Sequence, residues 1–168
     1  MLVYPQWLEH RMAVRSAEYP IGESPISFSL LTTVYEKSDA GFLSEAAHSI
    51  FDQSYSVLEW ILLAQGPLSS AVERVLVDIK AHRQCRVLRE ERNLGIILGL
   101  QRCLAAANGD YLIPVDADDL LTADALQIMA YSIYRHNRPA LVYSDEDRLE
   151  DGIPGTPYYG RIGIPFLL

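Results

Sequence analysis

The sequence has little cysteine, no long apolar run and no excess of positive charge, and each absence narrows the possible functions. Its two cysteines, Cys85 and Cys103, lack the spacing of metal ligands, so we expect buried, reduced thiols. The formal net charge of −8 argues against a nucleic acid or an anionic membrane surface as the main partner. No apolar run approaches membrane-spanning length, and the N-terminus lacks a signal-peptide core. These absences predict a cytoplasmic protein without a transmembrane segment.

Histidine is also scarce, and no nucleophilic catalytic arrangement can be argued from it. The four histidines are scattered without pairing: His10, His48, His82 and His136. No Ser-His-Asp or Cys-His combination emerges, and we interpret all four as ordinary surface or helix positions. The length of 168 residues predicts one domain with a real core.

Short apolar runs alternate along the chain with segments of helical periodicity. Strands are predicted at Ile26–Val34, Leu58–Ala64, Cys85–Leu88, Leu112–Val115 and Ala140–Tyr143. Helices are predicted at Ala40–Phe51 after a Ser38 or Asp39 cap, from Ser69 or Ser70 through Ile79, at Gly95–Ala107, and after a Thr122 cap. Such alternation indicates βαβ units, and therefore an α/β fold with a parallel sheet and right-handed crossovers.

Both ends of the chain differ from this alternating region. Residues 1–25 combine an amphipathic stretch with a proline- and glycine-containing linker, which predicts a lead-in helix packed on the outside of the domain. Residues 26–151 form the expected domain. Residues 152–168 are interrupted by glycine and proline, and form either a loop on the domain or the start of a further part.

The stretch Tyr111–Leu120 is an apolar run that ends in carboxylates. Asp116 and Asp118 are two residues apart, and in an extended segment such side chains point the same way, so both could face one ligand. Mg²⁺ or Mn²⁺ takes one or two such carboxylates and leaves its other positions to water and phosphate oxygens. A solvated acidic turn that caps a helix is the alternative interpretation.

Polar and aromatic residues follow the other predicted strands as well. Ligands of open parallel sheets bind beyond the carboxyl ends of the strands, near the switch in strand order. The residues at those ends are Thr33, Tyr35, Gln65, Asp116, Asp118 and Asp145–Asp147, with Asn93 just past the third strand. This chemistry suits a nucleotide base, a diphosphate and a metal. Alternatives remain for each: Tyr35 as a packed surface aromatic, Asn93 as part of a helix start, and Asp145–Asp147 as a solvated loop.

Six phrases occur in a characteristic order along the chain. They are Thr33-Val-Tyr35, Ser49-Ile-Phe-Asp-Gln-Ser-Tyr55, Asn93-Leu-Gly95, Ala107-Asn-Gly-Asp-Tyr111, Asp116-Ala-Asp-Asp119 and Tyr143-Ser-Asp-Glu-Asp147. This order resembles the family 2 glycosyltransferases, inverting enzymes of the nucleotide-diphospho-sugar transferase superfamily. The resemblance implies the N-terminal, donor-binding part of a GT-A fold, a Rossmann-like three-layer α/β/α sandwich with a mainly parallel sheet.

The resemblance also implies a function and a set of site residues. The chain would bind a nucleotide-diphospho-sugar with Mn²⁺ or Mg²⁺ and transfer the sugar to an acceptor hydroxyl in polysaccharide, glycan or glycolipid synthesis. Its partners would be the sugar nucleotide and a glycan or lipid-linked acceptor, and a homodimer is left open. Thr33 and Tyr35 would flank the base, Asp118 would bind the metal directly, and Asp116 would lie nearer the ribose. Asp145 and Asp147 would lie near the donor sugar.

The sequence also departs from the family pattern. Gln65 replaces an acid that accepts a hydrogen bond from the base, although an amide oxygen can still accept one. Leu100 stands where many relatives keep an arginine. No candidate for the general base follows Asp151, so residues 152–168 could begin a truncated acceptor-binding half. Two alternatives therefore stay open: a non-catalytic GT-A module with a binding or scaffolding role, and a phosphotransfer enzyme that uses Asp116 and Asp118.

Overall fold

The computed structural model describes residues 25–144, 148–150 and 153–154. They fall into two compact units, which divide after Leu126. The strands are β1 (Phe28–Val34), β2 (Glu59–Gln65), β3 (Cys85–Glu90), β4 (Tyr111–Pro114), β5 (Leu149–Glu150) and β6 (Ile153–Pro154). The helices are α1 (Ala40–Phe51), α2 (Ser70–Lys80), α3 (Gly95–Leu104) and α4 (Ala125–Arg135).

The first unit is built on a four-stranded sheet in the order β3-β2-β1-β4. Every neighbouring pair in it is parallel, which confirms the predicted α/β class. The chain moves outward from β1 to β3 and then returns to place β4 on the other side of β1. The strand order therefore reverses between β1 and β4, and ligands of open parallel sheets bind beyond the carboxyl ends of the strands at such a point. In the second unit, β5 and β6 form an antiparallel pair.

Helices cover both faces of the sheet. Side chains alternate along a strand, so Trp60 and Ile61 of β2 point to opposite faces. Trp60 packs edge-on against Phe51 of α1, with ring centroids 5.8 Å apart. On the other face, Ile61 and Leu63 form a buried cluster with Cys103 of α3. The first unit is thus a three-layer α/β/α sandwich, as the resemblance implied.

Most of the predicted elements are present with boundaries close to those expected. Asp39 caps α1, because its Oδ1 accepts from the N–H groups of Gly41 and Phe42. Ser69 caps α2 in the same way through the N–H of Val72. Helix α3 ends at Leu104 and not at Ala107, because the chain tightens there into short i to i+3 turns.

Two local predictions were wrong. The apolar run Ala140–Tyr143 is not a strand, and Leu141 is 79% exposed. A run of this length becomes a strand only where a neighbouring strand pairs with it, and no strand in the described residues does so. The expected Thr122 cap lies in the turn before α4, which begins at Ala125, and the Thr122 hydroxyl donates to Asp124 Oδ1.

Other expectations are met or lie outside the described residues. Cys85 and Cys103 are both free and buried, as predicted. No helix in the part of the chain that the structure describes is long and apolar enough to cross a membrane. The predicted lead-in of residues 1–25 lies almost wholly outside the described residues, as does the tail of residues 152–168, and both remain predictions.

Candidate functional site

The carboxyl ends of β1, β2 and β4 lie at one edge of the sheet, because these strands are parallel neighbours in register. We call this end of the sheet, which lies beyond the carboxyl ends of the strands, the rim. Thr33 lies one residue before the end of β1, on the face that α3 covers, and is half-buried. Tyr35 follows β1 with 39% of its surface exposed. Gln65 ends β2, and Asp116 and Asp118 follow β4. The fold thus brings five of the predicted site residues to the same edge.

Asp116 and Asp118 lie on a turn, not on an extended segment. The N–H of Asp119 donates to the backbone oxygen of Asp116 at 3.2 Å. The premise of an extended segment was therefore wrong for these residues, and strand alternation does not describe how their side chains point. Both side chains are exposed, and within the described residues neither makes a hydrogen bond or an ion pair. The turn presents two exposed carboxylates to solvent at the point where the strand order reverses.

The chain before this turn is fixed to the sheet. Val115 donates its N–H to the backbone oxygen of Leu31 at 2.9 Å. Its own carbonyl accepts from the Thr32 hydroxyl at 2.8 Å, and Trp60 Nε1–H donates to that hydroxyl at 2.9 Å. All three partners are buried in the core. The start of the turn therefore cannot move without breaking buried hydrogen bonds, whose loss is costly.

The chain after the turn is fixed to the end of α1. Gln53 Nε2 donates to the Thr122 carbonyl at 2.7 Å, and Gln53 Oε1 accepts from the N–H of Leu126 at 3.1 Å. Ser49 Oγ accepts from the N–H of Leu121 at 3.2 Å. Ser49 and Gln53 were noticed in the sequence only as part of a family phrase, and this role was not predicted. Nothing in the local pattern indicates which distant loop an amide will contact.

Gln65 is the most buried of the predicted site residues, with 2% of its surface exposed. Its Oε1 accepts from the N–H of Leu94 at 3.0 Å. The oxygen that was expected to accept from a ligand is thus already bonded to the start of α3. Its Nε2 packs against Gly99, and within the described residues this nitrogen has no hydrogen-bond partner.

Asn93 is exposed and completes the start of α3. Its Oδ1 accepts from the N–H of Gly95 at 2.8 Å, and Gly95 has a φ of +78° that suits glycine. Asn93 therefore takes part in the start of α3, as one of the two interpretations of this phrase predicted. Its amide nitrogen remains open to solvent. Asp145 and Asp147 lie outside the described residues, and their assignment stays a prediction.

The side chains at the rim fit a hard divalent cation better than a zinc-type site. The described residues contain no group of three or more histidine, cysteine, aspartate or glutamate side chains that could enclose a metal. Asp116 and Asp118 would supply two oxygen ligands. Mg²⁺ is usually bound in this way, by one or two carboxylates together with phosphate oxygens and water.

A small cavity of about 80 Å³ lies at the opposite edge of the sheet, at the starts of β2 and β3. Three of its polar side chains are already engaged: Tyr55 bonds to Ile26, Gln53 bonds as described above, and Gln84 donates to the carbonyl of Val57. Ser56 and Cys85 also line the cavity but bring no charge to it, so the rim, with its two carboxylates, is the better candidate site.

Known proteins are similar to this chain over the region that contains the sheet and the rim. The sequence profile of Glycosyl transferase family 2 matches residues 29–155. The O-antigen biosynthesis protein RfbC of Myxococcus xanthus is 28% identical over 98% of this chain and 13% of its own length. The Escherichia coli UDP-Gal:alpha-D-GlcNAc-diphosphoundecaprenol beta-1,3-galactosyltransferase is 29% identical over 55% of this chain and 34% of its own length. The chain thus spans a minor part of these relatives.

Solved structures share the fold. The mannosyltransferase PcManGT from Pyrobaculum calidifontis, solved with GDP-Man and Mn²⁺, superposes with a TM-score of 0.57. The superposition covers 76% of this chain and 39% of that protein, at 19% identity. This similarity identifies the three-layer sandwich as the GT-A fold.

Proposed function

Because the chain belongs to glycosyl transferase family 2, we propose that it binds a nucleotide-diphospho-sugar with Mn²⁺ or Mg²⁺ at the rim. We further propose that the sugar passes to an acceptor hydroxyl with inversion. The observation that carries this proposal is the Asp116–Asp119 turn, which presents two free carboxylates at the strand-order switch and is fixed at both ends. The names of relatives and neighbours include UDP-Gal, and GDP-Man with Mn²⁺, which supports this donor class.

Each residue of the rim has a distinct part in this proposal. A bound divalent cation would neutralise the charge that develops on the leaving nucleoside diphosphate. Asp116 and Asp118 would hold that cation, with Asp118 as the more direct ligand. Thr33 and Tyr35 would contact the base, and the open amide nitrogen of Asn93 would face the donor. Asp145 and Asp147 would lie beside the sugar.

The relatives indicate only the chemical class of the acceptor. Two of them are named for O-antigen biosynthesis and for a diphosphoundecaprenol-linked acceptor. We therefore propose a glycan or lipid-linked acceptor and a role in polysaccharide synthesis. A general base is needed to deprotonate the acceptor hydroxyl, and we assign none within this chain.

One observation favours a second candidate, a non-catalytic nucleotide-binding module. Gln65 replaces the acid expected at the base, and its oxygen is bonded to Leu94. A module of this kind would bind the nucleotide without transferring the sugar. The two candidates differ in turnover and agree on binding.

Thermal unfolding with a panel of nucleoside diphosphates and sugar nucleotides, with and without Mn²⁺, tests the binding step. Ligand binding raises stability by RT ln(1 + [L]/Kd), about 2.7 kcal/mol at 100 Kd. We expect a Mn²⁺-dependent rise in Tm for the wild type and its loss in Asp118→Ala. The control is Asp78→Ala, which removes an exposed carboxylate from α2 and should keep the rise.

A wild-type protein that no nucleotide stabilises in the presence of Mn²⁺ would contradict the proposal. If binding is found, release of nucleoside diphosphate from the sugar nucleotide with a glycan acceptor separates the two candidates. Turnover supports the transferase, and binding without turnover supports the module.

A further inference from the structure

We propose that Gln65 recognises the bound base as a hydrogen-bond donor, through its amide nitrogen, and so selects a base that presents an acceptor atom to it. This inference rests on the proposed function, since it assigns a specificity to the same site. It reverses the direction of the hydrogen bond that the resemblance implied for this position.

The amide oxygen of Gln65 is committed within the protein. It accepts from the N–H of Leu94 at 3.0 Å, at the point where α3 begins. Helix starts leave N–H groups without partners inside the helix, and a side-chain oxygen that satisfies one of them stabilises the helix. Because an N–H can only donate, this contact also defines the orientation of the amide: the oxygen faces Leu94 and the nitrogen faces the other way.

The amide nitrogen has two hydrogens to donate and no partner in the described part of the chain. Gln65 is 2% exposed, so bulk water does not satisfy this nitrogen. Buried polar groups are nearly always hydrogen-bonded, and an exception calls for a missing partner. Leaving such a donor unpaired lowers the stability of the protein. A ligand that accepts from Nε2 would recover that free energy on binding.

The position of this nitrogen connects it to the rim. A Cβ added to Gly99 would lie 2.9 Å from Gln65 Nε2 and 2.9 Å from Thr33 Cγ2. Nε2 and the Thr33 methyl group therefore border the same small space beside Gly99, and Thr33 is one of the two residues proposed to contact the base. The absence of a side chain at Gly99 leaves the space that the amide occupies.

The nucleobases fall into two groups by the ring nitrogen that they present on the base-pairing edge. Cytosine N3 and adenine N1 are unprotonated ring nitrogens that accept, whereas uracil N3–H and guanine N1–H donate. A site built around a hydrogen bond discriminates strongly against an analogue that cannot make it, because the protein group is left unpaired. Gln65 should therefore favour the accepting ring nitrogen, and a glutamate in its place should favour the donating one.

The test is calorimetric titration of the wild type and Gln65→Glu with CDP and UDP in the presence of Mn²⁺. A carboxylate still accepts from Leu94 but presents no donor to the base. We expect the ratio of the CDP and UDP affinities to shift toward UDP by at least tenfold. If only purine nucleotides bind, ADP and GDP provide the same comparison. The ratio cancels any general loss of binding that the substitution causes.

Two further variants keep the test decisive. Gln65→Met keeps the size of the side chain without a donor, and should weaken the accepting nucleotide at least fivefold more than the donating one, even if Gln65→Glu does not fold. Gln101→Glu makes the same chemical change at an exposed position of α3 and should leave the ratio unchanged.

The outcomes separate this inference from the function on which it rests. If Asp118→Ala abolishes nucleotide binding but the Gln65 variants leave the ratio unchanged, the donor role is wrong and the proposed function stands. That result would mean that a buried water, and not the base, satisfies Nε2. If no nucleotide binds to the wild type, both proposals fall.

Discussion

Gly99 of α3 lies directly against the side-chain amide of Gln65 at the end of β2. A Cβ on Gly99 would stand 2.9 Å from Gln65 Nε2, closer than a real Cβ approaches other atoms. A glycine in the middle of a helix lowers its stability by about 1 kcal/mol relative to alanine. That cost is explained by the buried amide, which fills the space that a side chain at position 99 would take.

Gly99→Ala is therefore expected to destabilise the protein despite the better helix propensity of alanine. Overpacking of a filled core costs about 1–3 kcal/mol, against a gain of about 1 kcal/mol from propensity. In a Gln65→Ala background the same change should cost less, because only Thr33 remains close. Urea unfolding of the four proteins of this cycle measures the coupling. Additive effects would contradict direct contact between residues 65 and 99.

Glu59 should make the protein sensitive to acid. Burial raises the pKa of Glu59, but hydrogen bonds from the Ser29 hydroxyl, the Asn108 N–H and the Arg86 guanidinium outweigh that effect and leave the pKa below its usual value. The stabilisation is present above the unfolded-state pKa of 4.5 and is lost as the pH falls through the lower folded-state value.

Glu59→Gln should accordingly lower the free energy of unfolding by about 1–3 kcal/mol at pH 7 and flatten its fall in acid. Urea unfolding between pH 3 and pH 7 measures both effects. Glu73→Gln is the matched control, since Glu73 pairs with Arg89 at the surface and an exposed ion pair contributes about 0–1 kcal/mol. Equal losses of stability in the two variants would show that the buried hydrogen bonds of Glu59 contribute no more than the exposed ion pair of Glu73.

Gln53 is expected to support the acidic turn as well as the fold. Gln53→Ala removes its bonds to Thr122 and Leu126 and should cost about 1–3 kcal/mol of stability. Gln84→Ala removes a bond to Val57 at the opposite edge of the sheet and serves as control. Only Gln53→Ala should weaken Mn²⁺-dependent nucleotide binding, which calorimetry measures. Equal nucleotide affinities in the two variants would mean that the turn keeps its geometry without Gln53.

Both thiols should be unreactive in the folded protein. Burial raises the pKa of Cys85 and of Cys103 to about 11, and the thiolate is the reactive form. At pH 8 we expect negligible reaction with Ellman's reagent in buffer and reaction of both cysteines in concentrated urea. Rapid modification of the native protein would contradict the burial of these residues.

Secondary structure in this chain is largely a local property, and it could be predicted. The helix Ala40–Phe51 has the expected bounds, because its apolar spacing and its Asp39 cap are encoded within a few residues. The run Ala140–Tyr143 shows the limit of this approach. A strand is completed by the backbone of a neighbour, which the run itself does not contain.

The sequence by itself determined the α/β class, the family and the chemistry of the residues after each strand. Tertiary structure alone decided the surroundings and the hydrogen-bond partners of those residues. It showed that Asp116 and Asp118 lie on a turn, that Gln53 fixes the chain beyond them, and that the oxygen of Gln65 is already bonded. The physical reason is that the contacts of Gln53 and Gln65 join residues 29 to 73 positions apart. Periodicity, propensity and capping act over one or two turns and cannot specify such partners.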